Sequence, residues 1–198
     1  MALVAVGKLK RIIERKNATK KYPPVSMAQA TCLHQKPHYV FLQKWIPRNL
    51  LKSDSILEVC CGVGLFGTWL QSRGYTNYVG IDISPARIEV ATEFNPLDFR
   101  VGDGRALAFK DKSFDFVGYA NCFSYVTFAE TYDCIKFLDE GLRVARKWLE
   151  LDAVHSRPGW NPPSFERVHQ WLRERGIEDN LIVERELFGN RRLWIVEL

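Results

Sequence analysis

Three acids stand at or near the ends of three short apolar runs: Glu58 in Ile56-Leu57-Glu58-Val59, Asp82 in Tyr78-Val79-Gly80-Ile81-Asp82, and Asp103 in Phe99-Arg100-Val101-Gly102-Asp103. Directly after the first comes Cys60-Cys61-Gly62-Val63-Gly64-Leu65-Phe66-Gly67, a glycine-rich turn leading into an apolar helix start. Such a turn lets backbone approach a ligand closely and aims helix N-terminal N–H groups at it. A strand–loop–helix–strand unit closed by an acid is suited to a nucleoside-containing cofactor, the acid accepting from ribose hydroxyls. Gly62, Gly64 and Gly67 also spell the dinucleotide pattern G-x-G-x-x-G. Glu58 argues against that ligand, because a pyrophosphate gains nothing from a neighbouring carboxylate, whereas a ligand bearing an ammonium group does.

A fourth apolar run, Phe114 to Ala120, is followed by Asn121 and Tyr125, and a fifth, ending at Val154, by His155. In open α/β sheets the ligand lies outside the carboxyl ends of the strands. Asn121 and Tyr125 are therefore expected to border the reacting group. His155 is the best-placed general base, with an ordinary loop histidine as the competing reading.

The elements that must position these residues follow from periodicity and punctuation. Strands are expected at 55–60, 78–82, 98–102, 114–120 and 148–154. Helices are expected at 37–46, 65–73, 85–94, about 130–146 and 164–175. Ser84 and Pro85 suit an N-cap and first helical position. Two features speak against the fifth strand: Leu138, Leu142, Ala145 and Leu149 keep helical spacing, and Glu150 and Asp152 are unusual in a buried parallel strand. Leu181–Leu187 and Leu193–Leu198 read as a closing hairpin. Asn161-Pro162-Pro163-Ser164 resembles a signature of enzymes acting on amide or base nitrogens, but it follows the wrong strand and reads as a helix start capped by Ser164.

Taken in order, these motifs resemble class I S-adenosylmethionine (SAM)-dependent methyltransferases, particularly the small type-11 group, over residues 56 to about 126. Glu58-Val59-Cys60-Cys61-Gly62-Val63-Gly64 is similar to the family's first motif, with Cys60 in place of the first glycine. A side chain is tolerated there if the residue does not need φ > 0. Asp82 and Asp103 match the ribose- and adenine-binding acids, and Lys112-Ser113-Phe114-Asp115-Phe116-Val117 the next signature. The resemblance implies a Rossmann-like, mostly parallel seven-stranded sheet with helices on both faces and a C-terminal antiparallel hairpin. It implies SAM as cofactor, held by Glu58, Cys60, Gly62, Gly64, Asp82, Ile83, Asp103, Gly104 and Asn121. It also implies methyl transfer to an O, N or C nucleophile of a small molecule. An RNA acceptor, or SAM binding without transfer, stays open.

At 198 residues the chain has the length of one domain, and no apolar run reaches the ~20 residues needed to span a bilayer. The five cysteines form no C-x-x-C pair, so a disulfide framework is not expected, Cys60 and Cys61 read as small buried fillers, and cytoplasmic residence is the default. No metal is assigned. The net charge of +5 is carried by the first 21 residues, where Lys8, Lys10, Arg11, Arg15, Lys16, Lys20 and Lys21 face only Glu14. Val6, Leu9, Ile12 and Ile13 recur at helical spacing, giving a basic amphipathic helix. Residues 1–50 thus read as an arm with lid helices, which also contribute His34, His38, Tyr22 and Tyr39, and residues 51–198 as the cofactor-binding domain. The arm packs on that domain, serves access of the acceptor, or meets a nucleic acid through residues 8–21, a membrane surface or an anionic substrate.

Overall fold

The computed structural model describes residues 2–21, 37–119, 122, 131–154, 164–187 and 191–198. Seven strands form one sheet: β1 (Ile56–Val59), β2 (Tyr78–Asp82), β3 (Asp98–Val101), β4 (Phe114–Gly118), β5 (Ala145–Val154), β6 (Leu181–Leu187) and β7 (Arg191–Glu197). Their order is β3-β2-β1-β4-β5-β7-β6. The first five run parallel, and β7 pairs antiparallel with both β5 and β6. The order reverses between β1 and β4, so the crevice outside their carboxyl ends is where a ligand belongs.

Alternation along β1 divides the core. Leu57 and Val59 face one side with Val117, Leu149 and Trp194, covered by α5 (Thr131–Val144) and α6 (Phe165–Glu174) through Phe137, Leu138, Val168 and Trp171. Ile56 faces the other with Phe116, Leu193 and Ile195, covered by α2 (Pro37–Asn49) and α3 (Leu65–Ser72) through Leu42, Trp45, Ile46, Phe66 and Leu70. Both faces of the parallel part are sealed, as a sheet with right-handed crossovers requires.

The caps fall where the sequence puts them. Ser84 caps α4 (Pro85–Phe94), accepting from the Arg87 N–H, with proline in the first turn. Ser164 caps α6 in the same way at 3.1 Å, which accounts for the serine of the Asn-Pro-Pro-Ser run; residues 161–163 lie outside the described residues.

Two boundaries differ from expectation. α2 runs through Pro47 to Asn49, where only one more turn follows and the Asn49 side chain donates to the Trp45 carbonyl at 2.7 Å. More consequentially, α5 ends at Val144 and β5 begins at Ala145, with no residue between them. The helical spacing that reached Leu149 is therefore cut at Val144. The Arg143 guanidinium donates to the carbonyls of Leu107 and Phe109 and pairs with Glu140 and Asp111, while the Arg143 carbonyl accepts from the Lys112 N–H. Tertiary bonds of this kind override local periodicity, because they satisfy backbone groups that a continued helix would have paired internally.

The N-terminal α1 (Ala2–Ala18) is the amphipathic helix expected. It buries Leu9, Ile12 and Ile13 against Ala86, Val90 and Phe94 of α4 and against Val63 in the glycine loop. Its rim is ionic: Lys16 and Lys21 pair with Glu89, and Arg15 with Glu93. The arm thus docks over α4 and the cofactor loop.

Candidate functional site

The loop after β1 is held at both ends. Gly62 and Gly64 adopt φ of 57° and 74°, the left-handed region where a side chain is strained. A Cβ on Gly64 would also stand 2.6 Å from the Phe99 ring, whereas one on Gly62 would meet no atom within 4 Å. Gly64 is the N-cap of α3, and no side chain caps that helix. Asp82, almost fully buried at the end of β2, accepts from the Gly62 N–H at 3.0 Å and from the Ser84 N–H at 2.9 Å. It therefore fixes the loop to β2 as well as standing where a ribose contact is expected, a tether that spacing alone does not reveal.

Asp103 follows β3 and is partly exposed. Arg105 embraces it, donating from its backbone N–H, Nε and Nη2. That pairing holds the Asp103 carboxyl below the usual carboxylate range. Ile83 is a large apolar side chain left 64% exposed next to Asp82, as a residue facing a base would be. Gly104 is buried, and a Cβ there would come within 2.2 Å of Phe137, so its lack of a side chain is explained by packing.

Glu58 is different in kind. It is 1% exposed; Oε2 accepts from the Tyr78 hydroxyl, and Oε1 has no hydrogen-bond partner among the described residues. Burial, opposed by the Tyr78 bond and reinforced by Asp82, pushes its carboxyl up to about 8. The register puts Glu58, Gly118 and Glu150 in one row across β1, β4 and β5. Glu150 is fully buried, accepts from the Tyr119 N–H at 2.9 Å through Oε2, and leaves Oε1 without a partner. Burial first, and Asp152 two residues on, hold its carboxyl well above the ordinary value. The two acids that spoke against the strand thus lie inside it, on the face that carries Glu58. Tyr39 of α2 packs under this face against Phe66, its hydroxyl pK raised by burial and by the same carboxylates.

Cys60 departs from expectation. It has φ of 63°, and its sulfur is bonded to Cys122, with Cα atoms 5.5 Å apart. It is neither a simple filler nor a residue at negative φ, because the tight turn after β1 demands a left-handed residue whichever side chain stands there. The cysteine spacing gave no sign of the bond, since the partners are 62 residues apart and meet only because β1 and β4 are neighbours. Cys61 remains a buried free thiol.

Asn121, Tyr125 and His155 lie outside the described residues, as do His34 and Tyr22; of His38 only the backbone is described. Among the described residues no cluster of His, Cys, Asp and Glu is arranged to hold a metal, and no helix is long and apolar enough to cross a membrane.

The geometry fits a cofactor with a nucleoside at one end and an amino group at the other. A glycine-capped helix and its loop follow β1, Asp82, Ile83 and Asp103 stand at or just beyond the ends of β2 and β3, and a buried carboxylate oxygen of Glu58 without a hydrogen-bond partner among the described residues lies behind the loop. Comparison with known proteins points to a family for this class. Residues 56–147 match the family model described as a methyltransferase domain. It is 42% identical over 73 residues to a 2-methyl-6-phytyl-1,4-hydroquinone methyltransferase of Synechocystis, covering 35% of this chain and 23% of that protein. It is 40% identical over 62 residues to an 18S rRNA (guanine-N(7))-methyltransferase of Bos taurus, covering 30% and 22%. The chain therefore spans about a quarter of the length of these relatives. The magnesium protoporphyrin IX methyltransferase of Synechocystis, solved with bound SAM, superposes with a TM-score of 0.65 at 16% identity, covering 81% of this chain and 77% of that one.

Proposed function

We propose that this protein transfers a methyl group from SAM to a small-molecule nucleophile. The observation that carries the reading is the set of three acids at successive strand ends around one glycine loop, within a matched methyltransferase domain. Glu58 would face the ammonium end, Cys60, Gly62 and Gly64 would bring backbone to the methionine portion, Asp82 would accept from the ribose, and Asp103 from the adenine amine between Ile83 and Gly104. When bound, the cofactor supplies an electrophilic methyl on a sulfonium. The chain's own contribution is proximity and orientation. Asn121, as part of both the cofactor and the acceptor borders, and Tyr125 would line the approach to that methyl. His155 would take a proton from an acceptor that carries one at neutral pH.

A small acceptor is favoured over RNA by charge. On the N-terminal arm, Arg15 and Lys16 of α1 and Lys21 just beyond it are already paired with α4. The RNA reading keeps its own support in the rRNA-modifying relative and in exposed Lys10, Arg11 and Lys20. Residues 1–50 would then buttress residues 51–198, not form a separate functional unit.

The test is turnover of radiolabelled SAM against a panel of small hydroxylated, aminated and activated-carbon acceptors, with total RNA in parallel. Product in the small-molecule arm is expected. Label entering RNA alone, with binding that falls steeply as salt rises, would transfer the assignment to RNA.

A further inference from the structure

We infer that Cys60 and Cys122 form a reversible thiol–disulfide site that tunes the cofactor loop. The inference rests on residues 60–64 holding the cofactor. Cys60 is the first residue after β1 and Cys122 follows β4, so their bond ties together the two chain segments that leave the adjacent strands flanking the topological switch point. Among the described residues no other covalent link joins these segments. Cys60 is partly exposed, whereas Cys122 is 2% exposed. An oxidant can therefore reach Cys60 first, and Cys122 is placed to resolve the product.

The conformation of Cys60 gives the bond a consequence. At φ of 63° it occupies the region that an L-residue with a Cβ avoids. The following residues keep the loop to a tight path: the Cys61 N–H bonds to the Ile81 carbonyl at 2.8 Å, and the Gly64 N–H to the Cys61 carbonyl at 3.0 Å. With the disulfide formed, Cys60 is held in its left-handed state by a second chain segment. With both thiols free, the loop relaxes toward geometries that a cysteine prefers, and those do not present the same backbone groups to a ligand. The oxidised protein is thus the form preorganised for the cofactor.

The exchange balances with a low-molecular-weight disulfide such as oxidised glutathione. The Cys60 thiolate attacks one sulfur of the small disulfide, breaking its S–S bond and releasing one small thiol. The Cys122 thiolate then attacks the Cys60 sulfur of the mixed disulfide and releases the second. Two electrons pass from the protein to the oxidant, and the two protons lost by the cysteines leave with the two small thiols.

The test measures S-adenosylhomocysteine affinity by calorimetry on the full chain, equilibrated either with oxidised glutathione or with a phosphine reductant. Peptide mass mapping reports the bond. The Cys60–Cys122 peptide is expected only after oxidation, with affinity about tenfold higher in the oxidised form, the equivalent of about 1.4 kcal/mol. Cys122→Ser should bind like the reduced protein under both conditions. Cys60→Gly should bind at least as tightly as the oxidised protein under both, because glycine takes the left-handed state without a tether. Equal affinity of oxidised and reduced wild type, failure of the bridge to form, or a redox response that survives in Cys122→Ser would each overturn the switch. If Asp82→Ala leaves affinity unchanged in a folded protein and neither the redox state nor Cys122→Ser moves it, it is the placement of the cofactor on this loop that fails.

Discussion

The acids of the site fall into two regions that treat charge in opposite ways. At the ends of β2 and β3, Asp82 and Asp103 have their oxygens occupied by the chain's own donors, and the pairing with Arg105 favours the charged form of Asp103. At the centre of the sheet, Glu58 and Glu150 are buried with one oxygen each unpaired, and burial favours the neutral form. The first region is built as a ready anionic acceptor, the second as a store of protons that a cation can displace. The same carboxylate chemistry takes two states because the strand-end loops give each acid several donors, whereas in the sheet interior each acid has one donor among the described residues and is desolvated by burial.

The largest effect should come from cutting the first region. Asp82→Ala removes the tether to Gly62 along with the proposed ribose acceptor. Each hydrogen bond to a charged group is worth about 1.5–3 kcal/mol, so S-adenosylhomocysteine affinity should fall tenfold or more in calorimetry. A soluble, folded variant with wild-type affinity would show that Asp82 serves only the loop's fold.

Next in size is deletion of residues 1–21. The basic arm suggests by its charge a role in acceptor access, yet α1 rests on Val63 inside the glycine loop. Losing Leu9, Ile12 and Ile13 uncovers that contact, so cofactor affinity should drop several-fold and the midpoint of thermal unfolding should fall. Unaltered affinity with impaired turnover would return the arm to the acceptor.

The second region is probed by pH. Glu58 holds its proton to about pH 8 in the folded state, against 4.5 when unfolded. Across that window the folded state binds more protons than the unfolded one. Stability of the ligand-free protein should therefore fall as pH rises from about 4.5 to about 8, by at most about 1.4 kcal/mol per pH unit from this group. Glu58→Gln should remove that part of the slope and raise the denaturation midpoint at pH 8. A profile identical to wild type would mean that Glu58 is not the proton store. Glu150→Gln, which keeps an oxygen for the Tyr119 N–H, should also be more stable than wild type at pH 8 and little changed at pH 5.

The smallest change is expected from Lys21→Ala. Its partner Glu89 is held below the usual carboxylate range by Lys21 and Lys16, but the pair sits at the surface, where such contacts contribute little. An unfolding midpoint that moves at low salt by as much as in the arm deletion would show that the ionic rim, not the apolar stripe, holds α1.

How much of this was legible in the sequence depends on distance along the chain. Glycines, caps and strand-end acids announce themselves locally, so the loop at Gly62 and Gly64, the Ser84 and Ser164 caps, and the hairpin were readable. The Tyr78–Glu58 bond, the row from Glu58 to Glu150, and the Cys60–Cys122 bond depend on which strands are neighbours, which no short window contains. Glu150 and Asp152 were visible but pointed the wrong way, since acids weaken a strand assignment until a site is known to need them.

The direct passage of α5 into β5 has a further consequence. With no connecting residue after Val144, the angular phase of the helix sets which side chains of the strand face which layer. One residue inserted there would act like a frameshift in space: with period-two alternation, Glu150 and Asp152 would exchange sides with Leu149 and Leu151. Acids would enter the packed layer beneath α5 and α6, and leucines would take their places on the face that carries Glu58, without altering a single residue type.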